Sequence, residues 1–292
     1  MKRKIISLAR STKVVTLPTS WCESNCLSKG DEVELHENLN SIIISPVKKE
    51  KQADIDITNL DPMIKRVLGA YYKAGYDILK ITFSTQHEFE IIDEVVREEF
   101  IGFEIISQNN NTVIAKSISE QSIDEFNSML RRMILIITSM IEETIKHKDS
   151  IIERKKVSLK DKDVNKIADY CRRMINKNSL ISLFDTQKLN PPLYYIVEQL
   201  EKIGDEIRDL ALLNEIPNAD LLNSIYIYFN SFYDLFYRFE LTKISSFGEK
   251  RYEIRDEIDN LIAIKPSNSL IIYRNILEKT FDMNGALIAL NT

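Results

Sequence analysis

Leu200-Glu201-Lys202-Ile203-Gly204-Asp205 and Leu277-Glu278-Lys279-Thr280-Phe281-Asp282 write one pattern twice, seventy-seven residues apart. Leu, Glu, Lys and Asp return in the same frame. Each hexapeptide runs on into a small, apolar stretch, Leu210-Ala211-Leu212 in one case and Ala286-Leu287-Ile288-Ala289 in the other. Self-similarity at this spacing reads as one helix–helix–helix unit used twice. The surrounding sequence carries only helix signals from residue 119 onward. One long helix is expected from a cap at Ser119 or Ser122 to about Glu153, with Phe126, Leu130, Met133, Ile137 and Ile141 on one face. Further helices are expected over 159–177, 192–213, 219–243, 246–263 and 268–290. Two repeats, over about 119–214 and 219–292, then make a pair of three-helix bundles.

The spacing inside the hexapeptide has a chemical consequence. Four residues turn a helix by about 400°, so Glu201 and Asp205 share a face, as do Glu278 and Asp282. Like charges at i, i+4 repel by a few tenths of a kcal/mol, which a cation relieves. Hard metal ions take carboxylate oxygens, and helical bundles build such sites from inward Glu and Asp. Lys202 and Lys279 neighbour the pairs but leave the helix about 100° away, so neither is expected to neutralise them. Solvated surface acids are the plain alternative.

Working outward to the N-terminus, the charge changes sign. Residues 1–30 hold six Lys and Arg against Glu23, a charge of +5; the whole chain is −5, which leaves −10 for the remainder. A basic tip on an acidic body points to an anionic partner, nucleic acid being the commonest. Residues 1–47 read as a small β unit. Short strands are expected at Ile5–Leu8 and Val14–Leu17, a helix capped by Thr19 or Ser20 through Leu27, and a hairpin of Glu32–Leu35 and Ile42–Ser45 turning at Asn38–Asn40. So few residues bury little apolar area, and a lone hairpin is marginal, so pairing with a second copy is expected. Residues 48–58 are polar and read as a linker. Residues 59–118 read as a small α/β module: a helix opened by Asp61-Pro62, a strand at Ile78–Phe83, a helix at His87–Phe100, and a hairpin of Phe103–Ser107 and Thr112–Lys116.

Composition removes several classes. Apolar residues are 44% and charged residues 28%, with 7 Gly and 7 Pro, so collagen-like and low-complexity readings are out. The apolar run Met133–Ile137 falls far short of the ~20 residues a bilayer requires. The opening residues contain no apolar signal region, and three cysteines make no disulfide framework; a cytoplasmic protein is expected. Cys22 and Cys26 lack the second Cys/His pair of a structural zinc site. No nucleophile elbow, assignable triad or Gly-rich phosphate loop occurs, so no catalytic residues are expected and the chain does not read as an enzyme. Eight aromatics between Tyr226 and Phe239 read as core, with a docking surface as the alternative.

Two family resemblances follow. Val14-Val15-Thr16-Leu17-Pro18, then Trp21, then Leu27-Ser28-Lys29-Gly30-Asp31-Glu32-Val33 resembles the SpoVT/AbrB-type swapped-hairpin DNA-binding domain. The resemblance implies an interlocked homodimer and DNA contacts from Lys2, Arg3, Lys4, Arg10 and Lys13. Ala9-Arg10-Ser11 stands where the family usually has Gly, which favours phosphate contact over base readout. Residues 119–292, through Leu200–Asp205 and Leu277–Asp282, resemble the PhoU family of phosphate-signalling regulators. That family adds acidic motifs on its second and fifth helices, matched here by Asp161–Asn165 and Arg255–Asp259, where Asn165 and Arg255 replace carboxylates. The resemblance implies metal ions (iron, zinc, magnesium or manganese) on Glu201, Asp205, Glu278, Asp282, Asp163 and Asp259. The two together are similar to archaeal-type phosphate uptake regulators. The expectation is a mostly α, multi-domain, dimeric transcriptional regulator of phosphate homeostasis. The alternative is an adaptor that docks on a phosphate transporter or sensor kinase and uses its N-terminal domain only to dimerise.

Overall fold

The computed structural model describes residues 2–8, 12–38, 41–46, 50–119, 123–177 and 190–292. The chain divides into two compact units, Met1–Lys49 and Glu50–Thr292.

The first unit consists of two small ladders and one helical turn. Strands β1 (Ile6–Ser7) and β2 (Lys13–Val14) pair antiparallel, Ile6 opposite Val14. Helix α1 (Thr19–Ser24) follows Pro18, which takes the N-cap position without a side-chain cap; the expected Thr19 or Ser20 cap is displaced because Pro18 already fixes the extended entry. Strands β3 (Val33–Asn38) and β4 (Ser41–Pro46) pair from Val33 opposite Pro46 to Asn38 opposite Ser41. The expected turn at Asn38–Asn40 falls partly on Leu39 and Asn40, outside the described residues. The strands are short and their described side chains are exposed or half-buried. No residue of this unit whose side chain is described is buried. Ile5, Leu8, Leu35 and Ile42 are each 65–72% exposed.

In the second unit, β5 (Gln52–Asp56), α2 (Ile64–Lys73), β6 (Ile78–Thr82), α3 (Gln86–Glu94), β7 (Phe103–Gln108) and β8 (Thr112–Ser117) form a four-stranded sheet with two helices. The strand order is β5-β6-β8-β7, β5 and β6 parallel and the other pairs antiparallel. Strand β5 corrects the linker expected over 48–58. Its charged residues alternate with Ala53 and Ile55, which are buried, so a sequence that reads as polar by composition has a strand period of two. Helix α2 starts at Ile64, with Asp61-Pro62 in the preceding turn, and Gly75 closes its far end at φ +83°. Helix α3 opens with a reciprocal cap between Thr85 and Glu88 and passes at Val95 into a π-helical turn ending at Glu99, where one continuous helix was expected.

Among the described residues seven helices follow: α4 (Ile123–Lys146), α5 (Ile151–Ser158), α6 (Asp161–Asn176), α7 (Asn190–Leu212), α8 (Ala219–Tyr237), α9 (Lys243–Ile264) and α10 (Asn268–Leu290). The Ser122 cap lies outside the described residues. The long first helix breaks at His147–Ser150, and Ser150 caps the new start. Arg154 explains the break. Its buried guanidinium donates to the carbonyls of His147 and Lys148 at the end of α4, and to those of Ala211, Leu213 and Asn214 at the end of α7. One cation thus satisfies the orphan carbonyls of two helix C-termini. Helices α4 to α10 share one apolar core, and α7 and α10, which carry the repeat, have the most extensive helix–helix interface. The sheet module joins this body through α6: the fully buried Arg173 donates to the Tyr72 and Tyr76 carbonyls and to Asp77 at 3.0 Å. Among the described residues no helix is long and apolar enough to cross a membrane.

Candidate functional site

On α7, Leu200, Ile203, Gly204 and Ile207 are buried, which leaves Glu201 and Asp205 on the flank toward α6. A Cβ on Gly204 would lie 3.0 Å from Val164 Cγ1 and 3.3 Å from Asp161 Oδ1, so any larger residue makes these side chains give way by a few tenths of an ångström. The carboxylates are met by cations of the chain itself. Arg172 donates to Asp169 and Glu198 at 2.7 Å each and to Glu201 at 3.3 Å. Arg208 bridges Asp205 at 2.5 Å and Asp161 at 2.9 Å. Lys202, expected to point away, reaches Glu201 at 3.1 Å and Asp205 at 3.5 Å: its long, half-exposed side chain curls back where its Cβ direction alone would not lead. Burial pushes the Asp161 carboxyl up while Arg208 pulls it down, and its Oδ1 has no hydrogen-bond partner.

The second pair is answered from α9. Arg251 donates two bonds to Glu278 Oε2 and lies over the Phe281 ring at 4.6 Å, and Arg255 stands 3.9 Å from Glu278 Oε1. Asp282 is exposed. Partial desolvation and then the Glu278 charge raise its carboxyl above the ordinary range. Lys279 turns to Glu206 on α7 at 2.9 Å.

The six acids named from sequence are therefore not one constellation. Glu201 and Asp205 sit together, and Glu278 and Asp282 sit together one bundle away. Asp259 pairs with Arg274 at 2.8 Å and Arg255 at 3.6 Å, and its Arg255 contact links it to the second pair. Asp163 is exposed on the other side of α6, in a groove with Arg131, Arg132 and Lys160. The residue of α6 that faces the first pair is Asp161, two positions earlier, because the close contact at Gly204 fixes which face of α6 turns inward. Among the described residues no three His, Cys, Asp or Glu side chains converge as metal ligands. The donor set does not fit a multinuclear cation cluster: a guanidinium already lies 2.5–3.0 Å from Asp205, Asp161 and Glu278.

In the N-terminal unit Lys2, Arg3, Lys4 and Lys13 are exposed and have no ion-pair partner among the described residues; Arg10 lies outside them. Cys22 and Cys26 are free thiols. The α8 aromatics are mostly core: Tyr228, Phe229 and Phe232 are buried, and Tyr237 remains 42% exposed. Sequence reasoning missed Arg208 and Arg251. Their signal was present, since each lies a helix turn or one adjacent helix from an acidic pair that needs a cation. No family model, curated protein or solved structure matches the chain.

Proposed function

We propose that the chain is a dimeric, cytoplasmic, DNA-binding transcriptional regulator of phosphate uptake, with a helical sensing body. The observation that carries this reading is the N-terminal unit. It presents to solvent cations that have no ion-pair partner among the described residues, and none of its described side chains is buried. A unit without a core gains one by docking on a second copy, and two copies double the cationic surface offered to a duplex. The Val-Val-Thr-Leu-Pro and Lys-Gly-Asp motifs support the same assignment by resemblance. The phosphate assignment rests on the resemblance of the two acidic hexapeptides. In this reading sensing runs through α6, whose adjacent residues Arg172 and Arg173 contact the acidic face of α7 and the sheet module.

Fluorescence anisotropy with duplex DNA tests the reading. Affinity is expected to fall steeply with salt, and Arg10→Ala or Lys13→Ala to weaken binding across sequences and lower the salt slope by about 1. Sedimentation should show a dimer. Absence of DNA binding at low salt sinks the regulator, and a dimer without it leaves the adaptor. Mapping of bound genomic DNA with and without phosphate tests the link to phosphate.

A further inference from the structure

The C-terminal bundle contains a cavity of about 440 Å³ that plays no part in DNA binding or in the acidic repeats. It lies between the last half of α8 and the first two turns of α9, and its size falls within the ~300–1,000 Å³ of small-molecule sites. The inner wall is apolar. Tyr228 and Phe247 stack there with ring centroids 4.3 Å apart, and Leu235 lines the same side. Tyr228 is 1% exposed and its hydroxyl is buried, so its contribution to the wall is the edge of its ring.

The mouth has the opposite character. Arg238, Lys243 and Lys250 line it, with Asp234 the one acid among the lining residues. Lys243 and Lys250 have surface partners in Glu240 and Glu253, each at 2.7 Å. The Arg238 guanidinium has no hydrogen-bond or ion-pair partner among the described residues, only its backbone N–H being bonded, to the Asp234 carbonyl. One free guanidinium beside one opposing carboxylate suits a single negative charge better than a polyanion, and its fork matches a carboxylate in two-point contact.

We propose that this cavity binds a small amphipathic monocarboxylate, its apolar tail against Tyr228, Leu235 and Phe247 and its carboxylate on Arg238. Lys243 and Lys250 add their field at the mouth. The site is independent of the DNA-binding reading and stands or falls apart from it.

Isothermal titration of the full chain with octanoate tests the site, with octan-1-ol as the neutral counterpart. Octanoate is expected to bind at one site per chain and octan-1-ol much more weakly. Arg238→Ala should lower octanoate affinity about tenfold, the scale of one charge-assisted contact. Ser246→Trp, at an exposed position of the mouth, should abolish binding while circular dichroism and the melting temperature stay unchanged. Absence of octanoate binding overturns the proposal. So does equal affinity for octan-1-ol, or an Arg238→Ala affinity within about twofold of the parent. Binding that survives Ser246→Trp places octanoate elsewhere, on the uncovered apolar residues of the N-terminal unit for example, and also overturns it.

Discussion

The acidic pair of α7 and the acidic pair of α10 share a hexapeptide but not a neighbourhood. Between Glu201 and Asp205 stands Gly204, and α6 comes close enough for Val164 and Asp161 to touch it. Between Glu278 and Asp282 stands Phe281, stacked with Phe247 at 6.5 Å and lying under Arg251. The first pair therefore gains a buried acid, Asp161, which Arg208 of α7 ties to Asp205, while Glu201 is met by Arg172 of α6. The second gains no buried acid, and its cation comes from α9. The acids of a repeat set where negative charge is placed; the residue between them sets how near the next helix comes, and so which group answers the charge.

Exchanging that residue should break the comparison most severely. Gly204→Phe places a ring where a Cβ is already at 3.0 Å from Val164, and a loss of about 3 kcal/mol is expected in urea unfolding. A loss below about 0.5 kcal/mol would mean that α6 moves aside freely. Arg208→Met comes next, at about 2 kcal/mol, because it leaves the buried Asp161 without its cation. Adding Asp161→Asn should restore part of that loss, and no restoration would show that Arg208 acts through packing alone. Arg251→Met is expected to cost about 1 kcal/mol, since Glu278 is nearer solvent and Arg255 remains close.

The smallest effect concerns Asp282 and its pH dependence. Its carboxyl is raised above the usual aspartate value of 3.8. Between that value and the raised one the folded state binds more protons than the unfolded state, so this residue's contribution to stability falls as pH rises through the window. Asp282→Asn should remove that slope and slightly raise the neutral-pH melting temperature. Asp205→Asn, which strips Arg208 of a partner, should lower it. Equal shifts of one sign would mean that the two repeats do not differ electrostatically.

Much of this was legible beforehand, and the failures have physical causes. The helices of the body follow from apolar periodicity, and the buried faces of α4, α6 and α7 fall where that spacing puts them. Strand β5 was hidden because Asp54, Asp56 and the preceding lysines dominate its composition, whereas pairing with β6 needs only Ala53 and Ile55 to face inward. The break after α4 was hidden because the guanidinium that meets its carbonyls is also held by carbonyls at the end of α7, up to 60 residues away. The resemblance points to Asp163, whereas the residue that faces the first pair is Asp161: helix phase alone does not tell which face a neighbouring helix covers.

Sequence by itself determined the local quantities: which segments coil, which acids share a helical face, and which end of the chain is basic. These depend on residue periodicity and net charge, both read directly along the chain. Only the tertiary structure decided that arginines meet the acids, that Gly204 admits a buried carboxylate where Phe281 does not, and that the N-terminal strands have no core of their own. Each depends on the distance between residues far apart in the chain, which packing alone sets.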